Sequence, residues 1–196
     1  MDLYVLGHTL ACMDRWRERG LKQVPVSVNF SRRTLFEPST LASVLAIQSR
    51  YPLLPPELLE VEITESAGQV ESSSLAEQLE RFRELGIHFA LDDFGSQYAN
   101  IAIFTNVKFD SVKLDRSLIA QLADSPRGRM LVRDLVGICH SCGMSCVAEG
   151  VETQAQVAAL TEAGCTCAQG YYYDRPLPAE QFEGKYLREA QTPPVS

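Results

Sequence analysis

The chain has 196 residues and a formal net charge of −7, with 45% hydrophobic and 22% charged residues; its mean hydropathy is −0.08. That composition fits one large globular domain, and no apolar run reaches the ~18 residues of a membrane span. The acidic balance argues against a broad surface for polymeric nucleic acid but allows a small phosphate-bearing ligand held through metal ions; with no leader-like N-terminus, a cytoplasmic location is expected.

Residues 2–19 place Leu3, Leu6, Leu10, Met13 and Trp16 at helical spacing, and Gly20 supplies a stop. An alternation then begins. Pro25–Phe30 reads as a strand, Thr40–Arg50 as a helix, Leu59–Thr64 as a strand and Ser74–Leu85 as a helix ended by Gly86. The strand His88–Asp93 leads into the loop Gly95–Asn100 and a short helix. Ser111–Asp115 is the next strand, followed by a helical turn and the helix Arg129–Cys142. Ser145–Glu149 precedes the helix Gln154–Ala163; Cys165–Gln169 precedes a tyrosine-rich loop and a helix near Ala179–Glu189. The tail Gln191–Ser196 reads as frayed. Six βα units with short connections predict an α/β fold around a parallel sheet, open or closed into a barrel. A closed (β/α)8 barrel would need two more strands than the sequence offers.

Polar residues close the apolar runs: Asn29, Glu62, Asp92 with Asp93, Lys113, Glu149 and Gln169. In a parallel β/α array these strand ends gather on one face. Several carboxylates there repel one another unless cations neutralise them, which points to a site for two hard divalent ions, Mg²⁺ or Mn²⁺. Strand alternation would send Asp92 and Asp93 to opposite faces, so a bend at Phe94-Gly95 is expected to turn both toward the ions. Lys113 is costly to bury alone, but among carboxylates it can orient a nucleophile or offset developing charge. The run Cys139-x2-Cys142-x3-Cys146 lacks the partners of a zinc set, and the six cysteines are expected to be small buried thiols, with Cys165 and Cys167 on one strand face.

The strings VNFSRR (28–33), LEVEITES (59–66), LDDFG (91–95), VKLDRS (112–117), AEGVET (148–153) and QGYYYDRPLP (169–178) together resemble the EAL-domain family of cyclic-di-GMP phosphodiesterases. The DFG triplet alone would also suit a protein kinase, but no glycine-rich or HRD-like loop accompanies it. The resemblance implies a modified TIM barrel that uses two metal ions to hydrolyse cyclic di-GMP to pGpG. On it, residues 1–190 form a single EAL-like domain, incomplete at its start, with 191–196 as the tail.

Carried over by position, Asn29, Glu62, Asp92, Asp93 and Glu149 match metal ligands, with Asp92 bridging. Lys113 matches the lysine near the catalytic water, Glu152 a further catalytic position, and Glu65 the glutamate that steadies the loop after the paired aspartates. Gln169 and Asp93 match substrate-binding positions. Two departures accompany the match. The family's Glu-Ala-Leu segment, with its metal-binding glutamate, a phosphate-contacting arginine and the first two strands, has no counterpart before Met1. The loop DFGSQYANI (93–101) also carries Gln97 where the family has glycine. Exposed strand edges would then favour a homodimer or a covering partner chain. Three functions stay open: phosphodiesterase with weak or no activity in this chain alone, catalytically silent cyclic-di-GMP sensor, or protein-interaction module.

Overall fold

The computed structural model describes residues 1–64, 72–96 and 106–188. Expectations for Glu65, for Gln97 with the short helix after it, and for the tail Gln191–Ser196 lie outside the described residues. Six strands, β1 (Val26–Asn29), β2 (Leu59–Thr64), β3 (His88–Phe94), β4 (Ser111–Leu114), β5 (Ser145–Ala148) and β6 (Cys167–Ala168), pair in chain order. Every pairing is parallel. The sheet curls into a half-barrel, as the six βα units predict.

Period-two alternation sorts the strand residues. Leu59, Val61 and Ile63 of β2 are buried under the helices, as are Phe89 and Leu91 of β3 and Val112 and Leu114 of β4. The alternate residues Glu60, Glu62, Asp92 and Lys113 belong to the inner face. Within it, Glu60 accepts hydrogen bonds from the Ser27 hydroxyl at 2.9 Å and the Ser111 hydroxyl at 2.7 Å, stitching β1 and β4 to β2.

The first helix, α1 (Asp2–Glu18), buries Leu6, Leu10, Met13 and Trp16 along one stripe. Next come α2 (Arg32–Phe36), unforeseen in the sequence and capped by the Ser31 hydroxyl, α3 (Thr40–Gln48) and α4 (Ser72–Arg83). Asp115 caps the short α5 (Arg116–Ala120). The next helix, α6 (Pro126–Ser141), begins three residues before the expected Arg129 because Ser125 accepts from the Gly128 amide and Pro126 suits the first turn. A Thr153–Gln156 capping box starts α7 (Gln154–Glu162). The expected last helix is short: α8 (Ala179–Phe182) passes into a π-helical turn, Glu183–Leu187. It packs on α1, with Phe182 against Trp16 at 5.9 Å between ring centres and Glu183 receiving Arg19 at 2.6 Å.

Two expectations need correction. The strand expected over Cys165–Gln169 pairs only at Cys167–Ala168, so Cys165 and Cys167 do not alternate along one strand. Of the six thiols only Cys139 and Cys146 are buried; Cys12 and Cys165 are half-buried, and Cys142 and Cys167 are exposed. Cys142 caps the end of α6, and Cys167 sits on an edge strand of the described sheet, which explains their exposure.

Past β6, Gly170 adopts φ +154°, and a Cβ there would collide with the backbone of Val151. That close approach lets the Val151 amide donate to the Gln169 carbonyl at 3.0 Å and the Tyr172 amide to the Val151 carbonyl at 2.9 Å. Gly170→Ala should therefore destabilise the protein by about 3 kcal/mol, combining strain and collision. Urea unfolding of the variant checks this, and an unchanged midpoint contradicts it.

Candidate functional site

Register places the polar strand ends side by side. Asn29 pairs with Glu62 and Thr64 with Asp92. The Glu149 amide donates to the Leu114 carbonyl, one residue past Lys113, and the Gln169 amide donates to the Ala148 carbonyl. Asn29 is exposed at the end of an edge strand, whereas Glu62 and Lys113 are buried and Asp92 and Glu149 half-buried.

Lys113 is the hub. Its Nζ lies 2.9 Å from Glu62 Oε1, 3.0 Å from Asp92 Oδ1 and 2.7 Å from Glu149 Oε1. Burial alone would lower the lysine pKa, but hydrogen bonds to Glu149 and Glu62 overcome it and hold the ammonium above its ordinary value. Gln169 Nε2 donates to Glu149 Oε1 at 2.6 Å, fixing that carboxylate from the other side. Asp92 Oδ1 is buried and, though close to the ammonium, has no partner in hydrogen-bond geometry.

The paired aspartates are brought together by a bulge. Leu91 pairs with Val112 and Phe94 with Leu114, so β3 fits three steps against two on β4. Asp93 takes φ +57°, the one positive value at a non-glycine among the described residues. The turn thus falls at Asp93 itself, one residue before the expected bend at Phe94-Gly95. As a result, oxygens of Asp92, Asp93 and Glu149 converge within 4.8 Å of one another, the one such acidic group among the described residues. Burial and then the neighbouring Asp92 raise the Asp93 pKa; burial raises that of Glu149 against the pull of Lys113. A convergent, partly desolvated trio of carboxylates offers the hard oxygen donors that suit a divalent cation.

Beside the trio opens a cleft of about 870 Å³ bordered by Asp93, Glu149, Glu152, Gln169, Tyr171 and Tyr173. Glu152 thus reaches the same cleft, although no side-chain contact ties it to Lys113. Sequence reading passed over Arg116 and Arg175, which also line this cleft and bring positive charge to its wall. Arg175 stacks its guanidinium 4.6 Å from the Tyr171 ring centre. Their signal was present in the strings VKLDRS and YYYDRPLP, where each arginine adjoins a strand-end loop. Glu65 lies outside the described residues.

The EAL domain family matches residues 1–176. The cyclic di-GMP phosphodiesterase PA2567 of Pseudomonas aeruginosa is 32% identical over 180 residues, 92% of this chain and 30% of that protein. Two further curated relatives, at 34% and 32% identity, are spanned over 22% and 21% of their length. The crystal structure of the EAL domain of Mycobacterium smegmatis DcpA superposes with a TM-score of 0.88 at 29% identity, covering 94% of this chain and 82% of that one. Klebsiella pneumoniae BlrP1 in a manganese and cyclic di-GMP complex gives a TM-score of 0.77 at 26% identity, over 89% of this chain and 44% of that one.

Two outcomes follow from the charge balance. Lys113→Met leaves three carboxylates facing one another and should lower metal-free stability by about 3 kcal/mol, with Mn²⁺ recovering part of the loss in urea titrations. Equal stability of variant and parent would contradict the hub. Protons hold Asp93 and Glu149 more tightly in the folded than in the unfolded chain, whose ordinary values are 3.8 and 4.5. Metal-free stability from these groups therefore rises as pH falls through their raised folded values and levels off below the unfolded ones. Mn²⁺ affinity should fall over the same window, and calorimetry at stepped pH measures it.

Proposed function

The chain belongs to the EAL domain family, and from that premise we propose that it is a cyclic-di-GMP module that binds the dinucleotide together with Mg²⁺ or Mn²⁺ and slowly hydrolyses one phosphodiester to give pGpG. The observation that carries this reading is the convergence of Asp92, Asp93 and Glu149 beside Lys113 at the edge of a cleft lined by arginines and tyrosines. Residues 1–190 act as the EAL-like unit.

Asp92, Asp93 and Glu149 hold a cation, and Glu62 and Asn29 on the adjoining strands complete the set. When bound, divalent cations supply Lewis acidity at the phosphoryl oxygens and offset charge in the displacement. Lys113 keeps its proton under all working conditions, so it serves as a fixed positive charge that orients a nucleophilic water and stabilises the developing phosphorane. Gln169 steadies Glu149 and presents its amide to the nucleotide. Glu152 faces the phosphate from the cleft wall. Tyr171 and Tyr173 offer flat faces to a guanine base, and Arg116 and Arg175 offset phosphate charge.

Slow turnover is favoured by the charge arrangement. Glu62 is not one of the three carboxylates that converge, so one cation position is better prepared than the second. The same observation favours a second reading, a sensor that binds without turnover. The edge strands β1 and β6 invite pairing, and a second copy of the chain is proposed to cover them. Six free thiols suit a reducing cytoplasm.

Titration calorimetry should show cyclic di-GMP binding that requires Ca²⁺ or Mn²⁺ and is lost in Asp92→Asn, with slow pGpG formation in Mn²⁺ by chromatography. Binding without any pGpG establishes the sensor. The absence of nucleotide heat with either ion sinks both readings. Light scattering should show mass rising with concentration, and a constant monomer mass would rule out the self-pairing.

A further inference from the structure

On the outer face of the sheet, away from the cleft, three cysteines from three elements meet. Cys139 lies on α6, Cys146 on β5, and Cys165 between α7 and β6. Cys139 and Cys165 flank the Cys146 thiol closely enough to perturb its ionisation. Cys165 Sγ also lies 3.5 Å from the Cys146 carbonyl and 3.2 Å from the Cys167 carbonyl. The short β6 is what allows this: because pairing starts only at Cys167, the chain at Cys165 turns its sulfur toward β5. The three sulfurs do not form a mutual cluster of metal-binding closeness, which among the described residues only Asp92, Asp93 and Glu149 do. A soft-metal site is therefore not indicated.

We propose that Cys165 and Cys146 are an oxidisable thiol pair, with half-exposed Cys165 as the attacking sulfur and buried Cys146 as the resolving one. Access separates the candidates: Cys139 and Cys146 are each 1% exposed, whereas Cys165 is open to a small oxidant. Neighbouring Cys146 outweighs burial and lowers the Cys165 pKa to about 7. The neighbouring Cys139 and Cys165, together with burial, raise the Cys146 pKa and keep that thiol protonated.

The oxidant is a hydroperoxide. The Cys165 thiolate attacks the terminal oxygen, the O–O bond breaks, and the departing hydroxide or alkoxide takes a proton, leaving sulfenic acid. Cys146, giving up its proton, then attacks the Cys165 sulfur; the S–O bond breaks, the S–S bond forms and water leaves. Two thiols are oxidised by two electrons, one peroxide is reduced, and a thiol reductant reverses the process. The bond would tie the two βα units that carry Glu149 and Gln169, whose side chains meet at 2.6 Å.

The test uses the full chain with stoichiometric hydrogen peroxide and non-reducing peptide mapping. Cleavage after Glu149, Glu152 and Glu162 separates Cys146 from Cys165, and cyanogen bromide at Met144 separates Cys142 from Cys146. The expected product has lost about 2 Da and joins Cys146 to Cys165; Cys165→Ser abolishes it while Cys142→Ser retains it. Iodoacetamide at neutral pH should label Cys165 about tenfold faster than exposed Cys142. Linkage of Cys165 to Cys167, linkage of Cys139 to Cys146 alone, or a Cys165 that overoxidises with no crosslink would each overturn the pairing. The mapping of the unmodified chain stands even if the serine variant folds poorly.

Discussion

The contact between one ammonium and three carboxylates organises the inner face of this half-barrel. Lys113 sits on β4 between the strands that bring Glu62 and Asp92 on one side and Glu149 on the other. At 2.7–3.0 Å the ammonium offsets the mutual repulsion of the three carboxylates in a partly desolvated setting. Asp93 has no ion pair with Lys113 and leads the acidic group into the cleft, so positive charge from outside is drawn to the side where a ligand would enter.

A fixed bulge and one side-chain hydrogen bond turn that charge pattern into a binding geometry. The bulge at Asp92–Asp93 breaks the alternation that would otherwise separate the two carboxylates, at the expense of a left-handed aspartate. Gln169 holds Glu149 from beyond β5. The acidic trio then faces a wall of tyrosine and arginine, a juxtaposition that suits a planar base joined to a phosphate better than either alone.

Much of this arrangement is legible in the amino-acid sequence. Apolar runs such as LEVEIT and SVKL, each carrying a charged residue near its end and followed by helical spacing, locate the strands to within a residue or two, and parallel order makes their ends neighbours. What stays illegible depends on contacts distant in sequence. The bulge is a property of β3 measured against β4, and alternation read along one strand puts the bend a residue late. β6 pairs with β5 over only two residues, and Cys167 is exposed although its apolar setting suggests burial. Spacing places Lys113 at the rim, but not its simultaneous hold on three strands. Arg116 and Arg175 look like ordinary loop charges until the cleft gathers them.

The packing of the last helical turn on the first helix also bears on synthesis. Arg19 and Glu183 are 164 positions apart, and Trp16 waits for Phe182 across nearly the whole chain. As the polypeptide leaves the ribosome, α1 emerges early yet cannot cover the indole until the final turn has followed it out. The parallel sheet likewise gains its neighbours one unit at a time. Trp16 is the chain's only tryptophan, so its fluorescence reports the docking of this turn on α1, and nascent chains stalled before Phe182 should leave that surface to chaperones.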